Sequence, residues 1–195
     1  GNFGAGGASI SKYDYKADKM NNFFYQGQND GNELLSNIQY AYSHNDSVYL
    51  IGNAVDQLIT VNPFLEQTLN GVSEDLENPR FCVADGDYLY ISCWGANPDY
   101  TDMPDSYISK YNTITRQVEK KIMLPGGPEG LAIVNGKLYV ALNYVSQIAI
   151  VNLSSETVST ITTPAVSSYF VKDNDENLYF TMLSTYADYS ENTGI

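Results

Sequence analysis

The residues best suited to hold a ligand recur at corresponding places along the chain. Asn53 and Asp56 follow one apolar strand-like run. Trp94-Gly95-Ala96-Asn97-Pro98-Asp99-Tyr100 follows the next, Asn143 and Tyr144 the one after, and Thr185 and Tyr186 the last. Trp94 is the only tryptophan, and it stands where the only large insertion, Trp94 to Ser106, begins. Rigid aromatic faces beside side-chain amides suit a sugar, a corrinoid or a peptide. The connections that lead into each new repeat, which include Arg80 and Glu129, are expected on the same face. The candidate ligand-binding set is therefore Asn53, Asp56, Arg80, Trp94, Asn97, Tyr100, Glu129, Asn143, Tyr144 and Tyr186. The alternative, that Trp94 packs the base of its repeat and the insertion covers it, carries equal weight.

Reactive chemistry has fewer candidates. His44 is the only histidine, so any Ser-His-Asp or Cys-His site would have to use it. It falls in Ser43-His44-Asn45-Asp46, which reads as a solvated turn. Cys82 and Cys93 are the only cysteines, on two strands joined by Asp85-Gly86-Asp87. A hairpin pivoting there puts Cys82 opposite residue 90 or 91, about 7–10 Å along the strand from Cys93. Free, buried thiols are the favoured reading and a bridge the alternative. Neither supplies four ligands for structural zinc.

Asp173-Asn174-Asp175-Glu176-Asn177 and the trio Asp99, Asp102 and Asp105 carry oxygen ligands of the kind calcium takes. The first reads better as an Asx-rich turn and the second as a solvated loop. Gly4-Ala5-Gly6-Gly7-Ala8 precedes a strand rather than a helix, so it is not a phosphate loop. No pair of carboxylates stands out for glycosidase chemistry. No catalytic residue, metal or cofactor is expected.

The 195 residues carry 10 Lys+Arg and 23 Asp+Glu, a net charge of −13. A surface that acidic repels phosphate backbones, so nucleic acid is not an expected partner. No apolar run reaches the length of a membrane-spanning helix. There is no starting Met and no basic-then-apolar leader, so the chain reads as mature or trimmed. The 17 tyrosines favour half-buried strand faces.

The elements that must position the candidates emerge from internal repetition. A turn and a Tyr-bearing strand appear as Asn45-Asp46-Ser47-Val48-Tyr49-Leu50-Ile51, Asp85-Gly86-Asp87-Tyr88-Leu89-Tyr90-Ile91, Asn135-Gly136-Lys137-Leu138-Tyr139-Val140-Ala141 and Asp175-Glu176-Asn177-Leu178-Tyr179-Phe180-Thr181. A second element follows the first three: Leu58 to Asn62, Tyr107 to Asn112, and Ile148 to Asn152. An orphan copy, Ser9 to Asp14, opens the chain. After each comes a further alternating segment: Lys19 to Tyr25, Glu66 to Leu69, Gln117 to Leu124, and Thr157 to Ile161.

Asn-Gly and Asp-Gly turns fit tight hairpins, and apolar/polar alternation fits sheets with one packed face. No segment shows a sustained helical period. Four short strands per repeat predict an all-β fold, a β-propeller of four-stranded antiparallel blades. The division is a partial blade over 1–27, blades over 34–72, 79–124 and 128–162, and a partial blade over 165–195. That makes about four blade-equivalents in a single propeller domain or fragment. The two half-blades could close a ring of four. The favoured expectation is a piece of a larger, seven- or eight-bladed ring.

The segment Leu138-Tyr139-Val140-Ala141-Leu142-Asn143-Tyr144-Val145-Ser146-Gln147-Ile148-Ala149-Ile150-Val151-Asn152 closely resembles the YVTN-type propeller repeat. Pro128-Glu129-Gly130-Leu131-Ala132 resembles the opening of the same repeat. Gly1-Asn2-Phe3-Gly4 with Ala8 to Asp14 is similar to the start of YncE-like, DUF5074-type surface lipoproteins of Bacteroidetes. Blade 79–124 departs from the pattern through its insertion. The resemblance implies an extracytoplasmic, surface-layer-type protein at the periplasm or outer-membrane surface, with a lipid anchor upstream of residue 1. One branch of similar propellers captures cobalamin. The expectation is a non-catalytic protein that takes a small molecule, a corrinoid or a glycan. The alternatives are a scaffold for an envelope protein and, below it, an enzyme using loop carboxylates. Fold alone does not decide among these.

Overall fold

The positive-φ turns predicted for the hairpins are where the chain reverses. Asn45, Gly86 and the pair Asn135-Gly136 all lie in the left-handed region. The computed structural model describes residues 7–34 and 37–184. Its strands are β1 (Lys12–Asp14), β2 (Lys19–Asn21), β3 (Ile38–His44), β4 (Ser47–Gly52), β5 (Gln57–Val61), β6 (Pro79–Asp85), β7 (Tyr88–Cys93), β8 (Tyr107–Asn112), β9 (Gln117–Met123), β10 (Pro128–Val134), β11 (Lys137–Leu142), β12 (Gln147–Asn152), β13 (Val158–Thr162), β14 (Val166–Lys172) and β15 (Leu178–Leu183). One short helix, α1 (Phe24–Gln28), follows β2.

The fold is an all-β propeller architecture of antiparallel blades. Two complete four-stranded blades run in the orders β6-β7-β8-β9 and β10-β11-β12-β13. The chain divides into two compact units, residues 1–73 and 74–195.

In the unit of residues 74–195, the first strands of successive blades, β6, β10 and β14, pack side by side with β10 in the middle. The buried core between the two full blades is built by Tyr90, Ile108, Leu138, Val140, Leu142, Ala149 and Val151. Alternation puts one face of each strand into this layer. Each such fully buried aliphatic side chain contributes about 1.5–3 kcal/mol.

The same turn chemistry repeats at the end of each third strand. Asn112 Oδ1 accepts the backbone N–H groups of Ile114 and Thr115, and Asn152 Oδ1 those of Ser154 and Ser155. Asn62 and Asp14 do likewise for Phe64 and Glu66, and for Lys16 and Ala17. An Asx side chain replaces a backbone turn at each of these positions.

A β-bulge also recurs at one place in all four first strands. The register slips between Ile38 and Tyr40, Pro79 and Cys82, Pro128 and Leu131, and Ser167 and Phe170. Bulges re-aim side chains, and these bulges carry Arg80 and Glu129. Gly130 lies within the β10 bulge. A Cβ there would come within 2.4 Å of the Ser168 carbonyl oxygen, so the close approach of β10 and β14 requires glycine.

In the unit of residues 1–73, Ala8, Tyr25, Leu34, Leu50, Ile59 and Val61 form a separate core. Two expectations are corrected there. The strand expected over Lys19 to Tyr25 ends at Asn21, and α1 follows. Phe23, in the left-handed region, turns the chain so that Tyr25 is buried and its hydroxyl donates to Gln67. The fourth strand expected at Glu66 to Leu69 is reduced to isolated bridges, Val61 with Gln67 and Leu58 with Val72. The Asn29 amide holds that edge instead, accepting from Gln67 N–H and donating to the Leu65 carbonyl. The remaining sheet is three-stranded, β3-β4-β5.

Cys82 lies opposite Ile91, as the hairpin geometry predicts, and Cys93 opposite Pro79. Both cysteines are free and buried. Among the described residues, no helix is long and apolar enough to cross a membrane.

Candidate functional site

Arg80 and Glu129 are not in the connecting loops where the sequence suggests them. They occupy equivalent bulge positions on neighbouring first strands, β6 and β10. The bulges turn both side chains toward each other. Arg80 Nε and Nη2 donate to Glu129 Oε2 and Oε1 at 2.9 and 2.8 Å. This is the two-pronged carboxylate grip that the planar guanidinium favours. Glu129 is only 3% exposed. Burial pushes its carboxyl above the usual range, and the Arg80 hydrogen bonds pull the other way. An ion pair buried this deeply joins two blades without being a source of much net stability.

The Arg80 guanidinium lies 4.1 Å from the centre of the Trp94 ring. The Trp94 indole N–H donates to the Pro128 carbonyl at 3.1 Å. Tyr100 and Tyr144 meet the indole nearly perpendicularly, with centroids at 6.4 and 5.5 Å, and lie 6.3 Å from each other. Three aromatic rings thus form one shelf at the end of two adjacent blades. Tyr100 is 62% exposed, while Trp94 and Tyr144 are half-buried. Trp94 therefore packs onto the blades, as one of the two readings of the sequence has it, and supports an exposed ring.

The insertion is tied down on both sides. Trp94 N–H and Gly95 N–H donate to the carbonyls of Asn78 and Glu77. Met103 is fully buried, and Ser106 Oγ donates to the carbonyls of Met103 and Leu124. Asp99 Oδ1 accepts from Thr101 N–H and Met103 N–H, which hold its carboxyl below the usual range. It anchors the loop. Gly127 sits under Tyr144, where a Cβ would come within 2.6 Å of the ring. Its positive φ also favours glycine.

The structure brings together Arg80, Trp94, Tyr100, Glu129 and Tyr144. Asn143 adjoins them, its backbone N–H donating to the Gly127 carbonyl. Asn97 is exposed and lines a separate shallow cavity of about 210 Å³ beside Glu77, Tyr107 and Lys121. Asn53 and Asp56 belong to the other unit, in and just after a 3₁₀ turn between β4 and β5. Tyr186 and Thr185 lie outside the described residues.

The Asp173 turn is held by its own carboxylate. Asp173 accepts from Asp175 N–H, Asn177 N–H, the Asn177 amide and the Tyr179 hydroxyl. Among the described residues no group of three or more His, Cys, Asp or Glu side chains is arranged to hold a metal ion.

Sequence reasoning missed a cavity of about 450 Å³ at the opposite end of the two full blades, lined by Tyr88, Lys110, Asn135 and Asn152 among others. Its signal was present in the repeated turns, since Asn135 and Asn152 belong to both. Lys110 there reaches Glu156 at 2.9 Å and lies 4.5 Å from the centre of the Tyr88 ring.

A family model described as "Domain of unknown function (DUF5074)" matches residues 1–186. No curated protein matches the chain. Among solved structures, a streptogramin B lyase is similar at 12% identity and a TM-score of 0.59, over 80% of this chain and 54% of that one. Virginiamycin B lyase from Staphylococcus aureus is similar at 13% and 0.59, over 80% and 57%. A chain of a nidogen/laminin complex is similar at 13% and 0.57, over 76% and 59%. The chain thus spans little more than half the length of these structures. Identities this low carry the fold alone.

Proposed function

The chain belongs to the DUF5074 family, and on that premise we propose that it is a non-catalytic binding protein of the cell envelope that captures a small molecule. The observation that carries this reading is the aromatic shelf of Trp94, Tyr100 and Tyr144, with Tyr100 presented to solvent. A shallow shelf of this kind offers C–H stacking to a pyranose face, so a glycan is the first ligand class and a corrinoid the second. The resemblance to YncE-like surface lipoproteins supports an extracytoplasmic location and a lipid anchor upstream.

The lyase names among similar structures are the reason to weigh an enzyme. Asp99, one of the loop carboxylates such an enzyme would use, is engaged by its own loop. Because Trp94 is the only tryptophan, its emission reports on the shelf. Titration with soluble neutral glycans is expected to change that emission saturably. The coloured cobalamin is followed by calorimetry instead. No saturable response to either class would overturn the reading.

A second reading, a scaffold for an envelope protein, is favoured by the exposed apolar residues Tyr169, Val171, Tyr179 and Leu183 on the β14–β15 hairpin. Patches of this kind mark interaction surfaces. A partner recovered from envelope extract and lost with Val171→Glu would support it. A partner retained by that variant would count against it.

A further inference from the structure

The shelf is fixed from beneath by a neighbouring blade. Trp94 follows β7, but both groups that restrain its indole depend on β10. Its N–H donates to the carbonyl of Pro128, and its face lies on Arg80, which is gripped by the next residue, Glu129. Ser92 Oγ donates to the Glu129 carbonyl at 2.8 Å and accepts from Phe81 N–H, which locks the backbone around the pair. With Nε and Nη2 both bound to Glu129, the guanidinium plane cannot turn without breaking two charge-assisted hydrogen bonds. The plane of Arg80 therefore dictates where the indole can lie, and Tyr100 and Tyr144 pack against that indole.

We propose that Glu129, acting through Arg80 and through its own contact with the indole, is a positioning residue that sets the orientation of Trp94 and hence of the whole aromatic shelf. Arg80 and Glu129 then shape the binding surface without being ligand contacts. This rests on the binding reading above for its functional meaning, but not for its test. Lysine cannot replace Arg80, because a compact ammonium has neither the fork nor the plane.

The test uses the full chain and acrylamide as the probe of Trp94 exposure. Arg80→Lys keeps the positive charge beside the buried carboxylate. Glu129→Gln keeps the volume and one hydrogen-bond acceptor. Both variants are expected to raise the acrylamide quenching constant of Trp94 roughly twofold, because each breaks the two-pronged grip that fixes the cation's plane against the ring. Far-UV circular dichroism should stay unchanged. Glu156→Gln, which breaks an ion pair at the other end of the blades, is the control and should leave quenching as in the wild type. The proposal is overturned if folded Arg80→Lys quenches like the wild type, or if Glu156→Gln raises quenching equally. A quenching change in a chain that binds neither glycan nor cobalamin would sustain the positioning role and defeat only the binding reading.

Discussion

Phe81 and Tyr169 meet edge to face, ring centres 5.4 Å apart, although β10 lies between their own strands. Both hold the bulge position that Gly130 holds on β10. The missing side chain at Gly130 leaves the gap that the two rings bridge. Gly130→Ala places a methyl group 2.4 Å from the Ser168 carbonyl oxygen and 2.9 Å from Tyr169 Cα. Backbone must move to relieve it, at a cost of about 1–3 kcal/mol. Thermal unfolding of the variant should show a clearly lower midpoint, and an unchanged midpoint would contradict this packing.

Tyr90 and Tyr179 are equivalent residues in two hairpins, opposite Val83 and Val171. Tyr90 is 3% exposed and Tyr179 is 50% exposed. The first is covered by the sheet of β10–β13, the second by no sheet among the described residues. Tyr90→Ala should therefore cost about 3–5 kcal/mol, as large-to-small core changes do. Tyr179→Ala should fall within about 1 kcal/mol. Denaturant titration of the two variants compares them directly.

Burial raises the Cys82 thiol well above its usual range, and only a thiolate reacts readily. The folded protein should consume no thiol reagent, and the unfolded protein two equivalents, one each for Cys82 and Cys93. Rapid labelling without denaturant would contradict the burial of this hairpin.

Lys120 and Lys110 both donate to Glu156 and hold its carboxyl below the ordinary 4.5. The folded protein therefore binds the proton less readily than the unfolded chain. The stabilisation is complete above the ordinary value and is lost as pH falls through the lowered one. The groups are partly exposed, so the contribution is at most about 1 kcal/mol. Glu156→Gln should lower stability at neutral pH by that order, and the difference from wild type should vanish in strong acid. An acid profile identical in the two proteins would remove Glu156 from the account.

The hairpins were legible because their information is local. Asn-Gly and Asp-Gly turns, terminal Asx residues such as Asn112 and Asn152, and apolar alternation each act within a few residues. Helix α1 was not legible, because Tyr25 turns inward to reach Gln67, 42 positions away. The edge near Gln67 failed as a strand for the same reason, since Asn29 takes its backbone groups. The loop aromatics Trp94, Tyr100 and Tyr144 could be picked from residue type and the insertion. The meeting of Arg80 with Glu129 could not, because it depends on a bulge that no residue pattern announces.

The central claim is that the exposed ring of the shelf contacts a small molecule. Calorimetric titration of neutral glycans and cobalamin into wild type and Tyr100→Ala tests it most directly. The account predicts saturable heat for one of these classes with the wild type, weakened by about 1–3 kcal/mol, roughly fivefold to a hundredfold, in Tyr100→Ala. Equal affinity in the two proteins, or no heat from a folded wild type, would contradict it.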